Sequence, residues 1–597
     1  MKDAKTNANR AVGNYRAMTF ALSLPALVCM AMPAARAQYP AQYPSEPQVK
    51  KDGTAVLIRD YASLPPSDPV SDSIPKPVII QGQLNRINFL RSEPAGAPRS
   101  TSRFFVNNMD GSLYILDKKT KKITPYLNLA AIFPKFTFDP AYEGGFAFVA
   151  FDPDYAKNGK FYTSHTEKPT LTGSAKPTNS RTPGLNLDGY ATTAAIPPRT
   201  GEIGFESVVV EWTDTNIKND TFEGTAREVL RVGFNTTYHQ IEDMTFDPVA
   251  KSGGSDYRNL YISVGDGADG ETAGERHATP QSLDAAHGKI LRITPDIDLR
   301  PGDKLGANGR YRVPSTGPDP NPFVTIAGAR PEIFAYGFRN PQRLTWDKPT
   351  NTFIADDIGL SSWEEVDIVK KGANYGYAER EGNEALANEE RPLTGSRKNP
   401  PVPFPVNDSL TVAGLNEPVT PMYPAAVLSH QDSDSIGSGF VYRGSRMPAL
   451  QGKYIFNDIT SGRIFYIDLA EMLAGQGMRN KQATVHELQI VYKSPYDKSA
   501  TVPVKRRMYD IVADAYAHKG GALKPNVVLP SAATIVGGYR GDNYVPGKVD
   551  PYGVPYGGGR ADIRIAAGGD GELYIVSKSD GMIREFVSVV TPPPASK

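Results

Sequence analysis

The chain has 597 residues, 40% of them hydrophobic and 22% charged, with a formal net charge of +1. That composition is ordinary for a globular protein, and near-neutrality gives no electrostatic case for nucleic acid or a membrane surface as partner. Its one cysteine, Cys29, lies in the first 37 residues, so a chain without them has no disulfide, thiolate nucleophile, Fe–S cluster or covalently attached c-type haem.

Those first residues read as an export signal. Lys2, Lys5, Arg10 and Arg16 precede the apolar run 17–32, and Ala35-Arg36-Ala37 gives a small-x-small cleavage site. The run is about 16 residues long and contains Pro25, short for a membrane span. Residues 1–37 are therefore expected to be a cleaved signal peptide, leaving a periplasmic or secreted protein with no membrane span. Cleavage removes five basic residues and one acidic residue, which turns +1 into −3.

Residues 38–75, rich in Pro, Ser and Asp, read as an extended lead-in. From 76 to 588 one pattern recurs: a short aromatic strand, a turn with Asp, Asn or Gly, and a second strand. It occurs at 103–117 (RFFVNNMDGSLYILD), 148–166, 243–267, 343–359, 437–469 and 563–586. Apolar and polar residues alternate with period two in each copy, as in half-buried antiparallel strands. Asn158-Gly159 and Asp570-Gly571 supply hairpin chemistry, and Lys118 to Lys122 reads as a solvated hairpin tip. Gly (55) and Pro (51) are numerous, and the best helix candidate, Ile467 to Gly475, is short. The reading is an all-β fold: a six-bladed β-propeller with long loop insertions and a tail at 589–597. Long polar segments near 167–200, 268–285, 380–435 and 495–560 are the insertions.

Several residues could carry chemistry. His239 sits just before a strand, where it is either a general base or a loop histidine held by hydrogen bonds. Asp266, between glycines in Ser263-Val-Gly-Asp-Gly267, is a turn carboxylate or a partner that orients a histidine. Glu364-Glu365 with Gly359 and Tyr375 is an oxygen-rich group of the kind a hard cation requires, or a solvated acid pair. Arg339, Arg443 and Arg463 fall at comparable points of their repeats and would suit a planar anion if they shared a channel. Pro341 interrupts a strand-like run directly after Arg339-Asn340. No glycine loop joins a strand to a helix for a nucleotide, and there is no Gly-x-Ser-x-Gly or His-Glu-x-x-His element.

Taken in order, FVAFDPDYAKNGKFY, NLYISVGDG, HGKILRITPD, PEIFAYGFRNPQRLTWD, IGLSSWEEVDIVKKGANYGY, GFVYRGS, SGRIF and DGELYIVSKSDG resemble the glucose/sorbosone dehydrogenase family over about 145–587. The resemblance implies a propeller that binds pyrroloquinoline quinone (PQQ) beside Ca²⁺ and oxidises a sugar at C1, passing electrons to a separate acceptor. It implies His239 as the base, Asp266 as its orienting partner and Arg339 as a stabiliser of charge on the quinone oxygen. Glu143, Arg339, Asn340, Arg443, Arg463 and Lys578 match cofactor-contact positions. Gly359 and Leu360 (through backbone carbonyls), Glu365 and Tyr375 match calcium-ligand positions. The chain departs from the family at Tyr238-His239-Gln240, at Phe148 where glycine is usual, and at Leu360. The runner-up reading is a non-catalytic propeller that binds a protein or glycan ligand.

Overall fold

Alternate residues of one strand feed two different apolar layers. Phe104 and Val106 join one buried cluster while Phe105, between them, joins another. Val209 is likewise separated from Val208 and Val210, and Ile455 from Tyr454 and Phe456. Each sheet is therefore buried on both faces by its neighbours. That is why strands such as Phe146–Phe151 and Leu260–Val264 are apolar at nearly every position.

The computed structural model describes residues 49–65, 84–138, 144–272, 274–360, 363–386, 402–403, 409–429, 432–479, 481–519 and 561–590. Within them lies a propeller-like arrangement of mostly antiparallel sheets: the first, third and fourth have four strands, the second has five, and a nine-stranded sheet has the fifth and sixth as its two halves, beside two small sheets of two and three strands. The inner strands are Ile87–Ser92, Phe146–Phe151, Met244–Phe246, Pro341–Asp347, Phe440–Val441 and Ile563–Ala567. They touch in that order, and the sixth touches the first, which closes a ring. The sixth sheet is completed from the other end of the chain. Its outer strand, Ala55–Ser63, runs antiparallel to Met582–Val590 and pairs in parallel with residues 489–491 of the fifth sheet.

Aromatic side chains fill the axis. The rings of Phe89 and Phe148 lie 5.0 Å apart, and Phe89 also meets Phe440 of the fifth sheet at 6.4 Å. The first and fifth sheets are not neighbours in the ring, so these rings meet across it. The Arg343 guanidinium lies over both Phe89 (5.0 Å) and Phe148 (5.2 Å) and donates to the Glu242 carbonyl at 2.7 Å.

The structure corrects three details of the sequence reading. Part of the expected lead-in is the strand Ala55–Ser63, and the last strand continues into the expected tail, to Val590. The repeat at 103–117 is borne out as a strand, turn and strand, Arg103–Asn108 and Ser112–Asp117, which are the second and third strands of a sheet whose inner strand is Ile87–Ser92. The segment 495–560, read as a polar loop, contains the helix Met508–His518, with Ile511, Val512 and Tyr516 buried. The short helix expected at 467–475 runs Leu469–Gly475, capped by the Asp468 carboxylate. The signal segment, residues 38–48 and 66–75 of the lead-in, and residues 591–597 lie outside the described residues. Among the described residues no helix is long and apolar enough to cross a membrane.

If ring closure by Ala55–Ser63 holds the fold, an unpaired carboxylate there should be severely destabilising. Val56 is 0% exposed and Val502 is 60% exposed. Val56→Asp should lose several kcal/mol, read as a large drop in melting temperature, while Val502→Asp stays within about 0.5 kcal/mol of the parent.

Candidate functional site

The connections that enter inner strands, and those joining second to third strands, gather at one end of the sheets. His239 and Arg339-Asn340 are in the first kind, before Met244–Phe246 and Pro341–Asp347. Asp266, Gly359-Leu360, Arg463 and Lys578 are in the second kind. Strand geometry alone therefore brings most of the expected residues to one end.

His239 Nδ1 and Asp266 Oδ1 are 2.6 Å apart. His239 holds a left-handed backbone, φ 49°, uncommon for a residue with a side chain. Gly265 makes this possible: a Cβ there would lie 2.4 Å from the His239 carbonyl oxygen. Asp266 is completely buried, and its carboxylate also accepts the N–H groups of Ala268 (2.8 Å) and Gly270 (2.9 Å). Burial pushes its pKa up, but the His239 charge and hydrogen bond, Arg339 and the Gly270 N–H outweigh burial and hold it below the usual range. With Nδ1–H donated to Asp266, His239 keeps its lone pair on Nε2, the arrangement a general base needs.

The Arg339-Asn340 turn is fixed from below. Asp357 accepts the Arg339 N–H at 3.0 Å and the Asn340 N–H at 2.6 Å, one on each oxygen. The Arg339 guanidinium turns the other way: Nη1 donates to the Ile358 carbonyl at 3.0 Å, while Nε (3.0 Å) and Nη2 both donate to Glu271 Oε1. Asp266 N donates to the Arg339 carbonyl at 2.7 Å, which joins the turn to the histidine pair.

Beneath the turn, Asp357, Glu365 and Asp367 present carboxylate oxygens within 4.8 Å of one another. Asp357 and Glu365 are register partners on adjacent strands, and Asp367 lies two residues beyond Glu365 on the same face. All three are buried, Asp367 at 0% exposure with neither oxygen hydrogen-bonded. Burial pushes Asp357 up to about 7, and burial with the neighbouring acids pushes Glu365 and Asp367 well above the carboxylate range. Three hard oxygen donors this close suit a divalent cation such as Ca²⁺.

The other expected residues divide. Glu365 faces this trio. The Tyr375 hydroxyl donates to the Ile368 carbonyl (2.8 Å) and accepts the Lys370 N–H (2.9 Å), so backbone groups occupy it. Gly359 is required by packing, because a Cβ would fall 1.7 Å from the Trp363 carbonyl oxygen; Leu360 is half-buried beside Tyr377. Lys578 is 2% exposed near Asp562, Glu242 and Arg86, its pKa driven down by burial and by Arg564. Arg463 is bound to Glu487 (2.8 and 2.7 Å) and Asp432 (3.0 Å), toward the outer strand. Arg443 does not join the site. It follows an inner strand rather than preceding one, at the opposite end of the sheets, and pairs with both oxygens of Asp347 (2.9 and 2.7 Å). Glu143 lies outside the described residues. Sequence reasoning missed Glu271, Asp357 and Asp367. The alternation Glu365-x-Asp367 on a strand was the one available signal for a shared face.

Residues 252–490 match the model of the family described as Glucose / Sorbosone dehydrogenase, and the resemblance read from the sequence is borne out there. The HIPL2 protein of Arabidopsis thaliana is 28% identical over 388 residues, 61% of this chain and 50% of that protein. The aldose sugar dehydrogenase YliI of Escherichia coli is 26% identical over 235 residues, 39% of this chain and 46% of the relative. Human hedgehog-interacting protein is 24% identical over 379 residues, 61% of this chain and 41% of the relative. The chain spans about half the length of the curated relatives it matches. Among solved structures, the PQQ-bound aldose sugar dehydrogenase of Streptomyces coelicolor is similar with a TM-score of 0.44 and 17% identity, covering 90% of this chain and 99% of that one.

The carboxylate trio gives a direct test of the cation reading. Ca²⁺ should raise the melting temperature of the parent. Asp367→Asn should melt a few degrees higher than the parent in EDTA, since it removes an uncompensated buried carboxylate, and should respond little to Ca²⁺.

Proposed function

We propose that this chain, which matches the Glucose / Sorbosone dehydrogenase family model over residues 252–490, is a PQQ-dependent oxidoreductase that oxidises the C1 hydroxyl of an aldose or a similar small alcohol. The observation that carries the reading is the His239–Asp266 pair at 2.6 Å, linked by Asp266 N to the Arg339-Asn340 turn. The family match and the name of the Escherichia coli relative support it.

The donor set fits both groups that the family implies. Arg339, Asn340 and Lys578 offer a guanidinium, an amide and an amine, whose charged form burial disfavours, at one end of the sheets, suited to an oxygen-rich anion such as PQQ. Asp357, Glu365 and Asp367 would hold Ca²⁺; the bonds of the Tyr375 hydroxyl leave it out of that set. When bound, PQQ supplies a two-electron acceptor for hydride from C1, and Ca²⁺ a Lewis acid beside it.

The protein's own part is proton handling and orientation. His239 Nε2 accepts the proton of the C1 hydroxyl as the C1–H bond breaks, which leaves a carbonyl product. Asp266 fixes the imidazole in the tautomer that can do this and stabilises the imidazolium that results. Arg339, held by Asp357 at its N–H, presents a fixed positive charge next to the same site. A separate carrier would accept the electrons, as the family resemblance implies.

A second reading, a non-catalytic propeller that binds a protein or glycan, has one observation in its favour: the Arg339 fork is already filled by Glu271. His239→Ala separates the two. With PQQ and Ca²⁺ present, the variant should keep quinone binding within a few-fold and lose about 10²–10⁴ of its sugar-driven dye reduction. Near-parental turnover would remove His239 as the base.

A further inference from the structure

The second-to-third-strand connection of the third sheet is an insertion built as a strap. Two short 3₁₀ segments, Asp269–Glu271 and Gly274–Gln281, follow Asp266. At its start the strap hangs from the Asp266 carboxylate through the Ala268 and Gly270 N–H groups. Gly270 packs so closely on Tyr377 that a Cβ would lie 2.4 Å from the ring. Asp269 takes Arg276 Nε at 2.7 Å and the Thr279 hydroxyl at 3.0 Å. At its far end the buried Lys289 ammonium donates to the carbonyls of Thr279 (3.1 Å), Pro280 (2.9 Å) and His287 (2.7 Å). Gln281 donates to the Tyr377 carbonyl at 2.7 Å. The backbone of this strap is fixed at both ends.

Glu271 is the strap residue that reaches the site. Its Oε1 receives both Nε and Nη2 of Arg339, the edge of a guanidinium that binds a planar carboxylate with two parallel bonds. Arg339 is 9% exposed, and burial lowers its pKa; the Glu271 charge reverses that and holds it above the usual value. The Glu271 side chain is 16% exposed, so it has a path to water. Of the other Arg339 N–H groups, one on Nη1 goes to the Ile358 carbonyl. An anionic ligand that needs this edge must therefore replace Glu271, not add to it.

We propose that Glu271 is a specificity-determining residue: an internal carboxylate that occupies the Arg339 fork and must be displaced by a planar ligand bearing carboxylate or quinone oxygens. The inference rests on the reading above that Arg339 receives such a ligand. Displacement moves one side chain and leaves the strap backbone in place. The apparent dissociation constant is the intrinsic one divided by the fraction of molecules in which Glu271 has released Arg339. Neutral oxygens gain a weaker bond at the fork than a carboxylate does and compete poorly with Glu271. Because the strap hangs from Asp266, the carboxylate that holds the base also positions the residue that guards the cation.

The test is titration calorimetry on the full protein with two probes, PQQ in the presence of Ca²⁺ and isophthalate, a planar dicarboxylate that is not a redox cofactor. Glu271→Gln should bind both about tenfold more tightly than the parent. Glu275→Gln, an exposed acid on the same strap, should match the parent, which separates displacement from a general change in charge. Equal affinities of parent and Glu271→Gln for both probes, or an equal gain in Glu275→Gln, would overturn the proposal. A tenfold gain for isophthalate with no PQQ binding by either protein would keep Glu271 as the guard of Arg339 and remove the quinone reading. Melting temperatures of the two variants verify that both are folded.

Discussion

One buried carboxylate, Asp266, organises this end of the propeller. Its side chain holds His239 and two strap N–H groups, while its own N–H holds the Arg339 carbonyl. A charge removed from water is stable only when fully partnered, because burial otherwise favours the protonated form. Here the partners outweigh burial and keep the group ionised. His239 consequently sits in a strained left-handed conformation, about 1–3 kcal/mol above a relaxed one. Base, turn and strap are thereby held by a single group and keep their relative positions.

Around that group the charges separate into two districts. Acids collect on the fourth sheet beneath the Arg339-Asn340 turn: Asp357, Glu365 and Asp367, with neighbours Asp356 and Glu381. Cations collect at and along the inner strands: Arg86, Arg343 and Arg564, with Asp562 shared between Arg86 (3.1 Å) and Arg564 (2.9 Å) and the buried Lys578 amine nearby. A cation in the first district and an oxygen-rich anion near the second would each relieve a repulsion already present. Arg339 stands between them, tied to the acids by its backbone and facing Glu271 with its side chain.

The fold was legible because a period-two alternation marks each strand wherever it lies in the chain. The closing strand Ala55–Ser63 was not, since its partners lie at the far end of the sequence and pairing is a long-range event. The helix Met508–His518 was hidden within a segment whose overall polarity suggested a loop. At the site, the repeat located His239, Asp266, Arg339 and Asn340 at strand ends, while their roles came only from the family resemblance. Arg443 misled for a related reason. Its place in the repeat resembled that of Arg339, but it follows an inner strand where Arg339 precedes one, and the length of the sheet separates those ends. Asp357 and Asp367 meet Glu365 through cross-strand register, and Glu271 reaches Arg339 through a turn of the strap. Neither relation is written in sequence spacing.

The central claim is that this end of the propeller receives an oxygen-rich redox ligand beside a hard cation and uses it to oxidise a sugar. The most direct measurement is an anaerobic titration of the Ca²⁺-loaded protein with PQQ, followed spectroscopically, with aldoses then added to the complex. The account predicts saturable one-to-one binding and bleaching of the bound quinone by at least one aldose. No binding at micromolar PQQ, or a bound quinone that no aldose reduces, would contradict it.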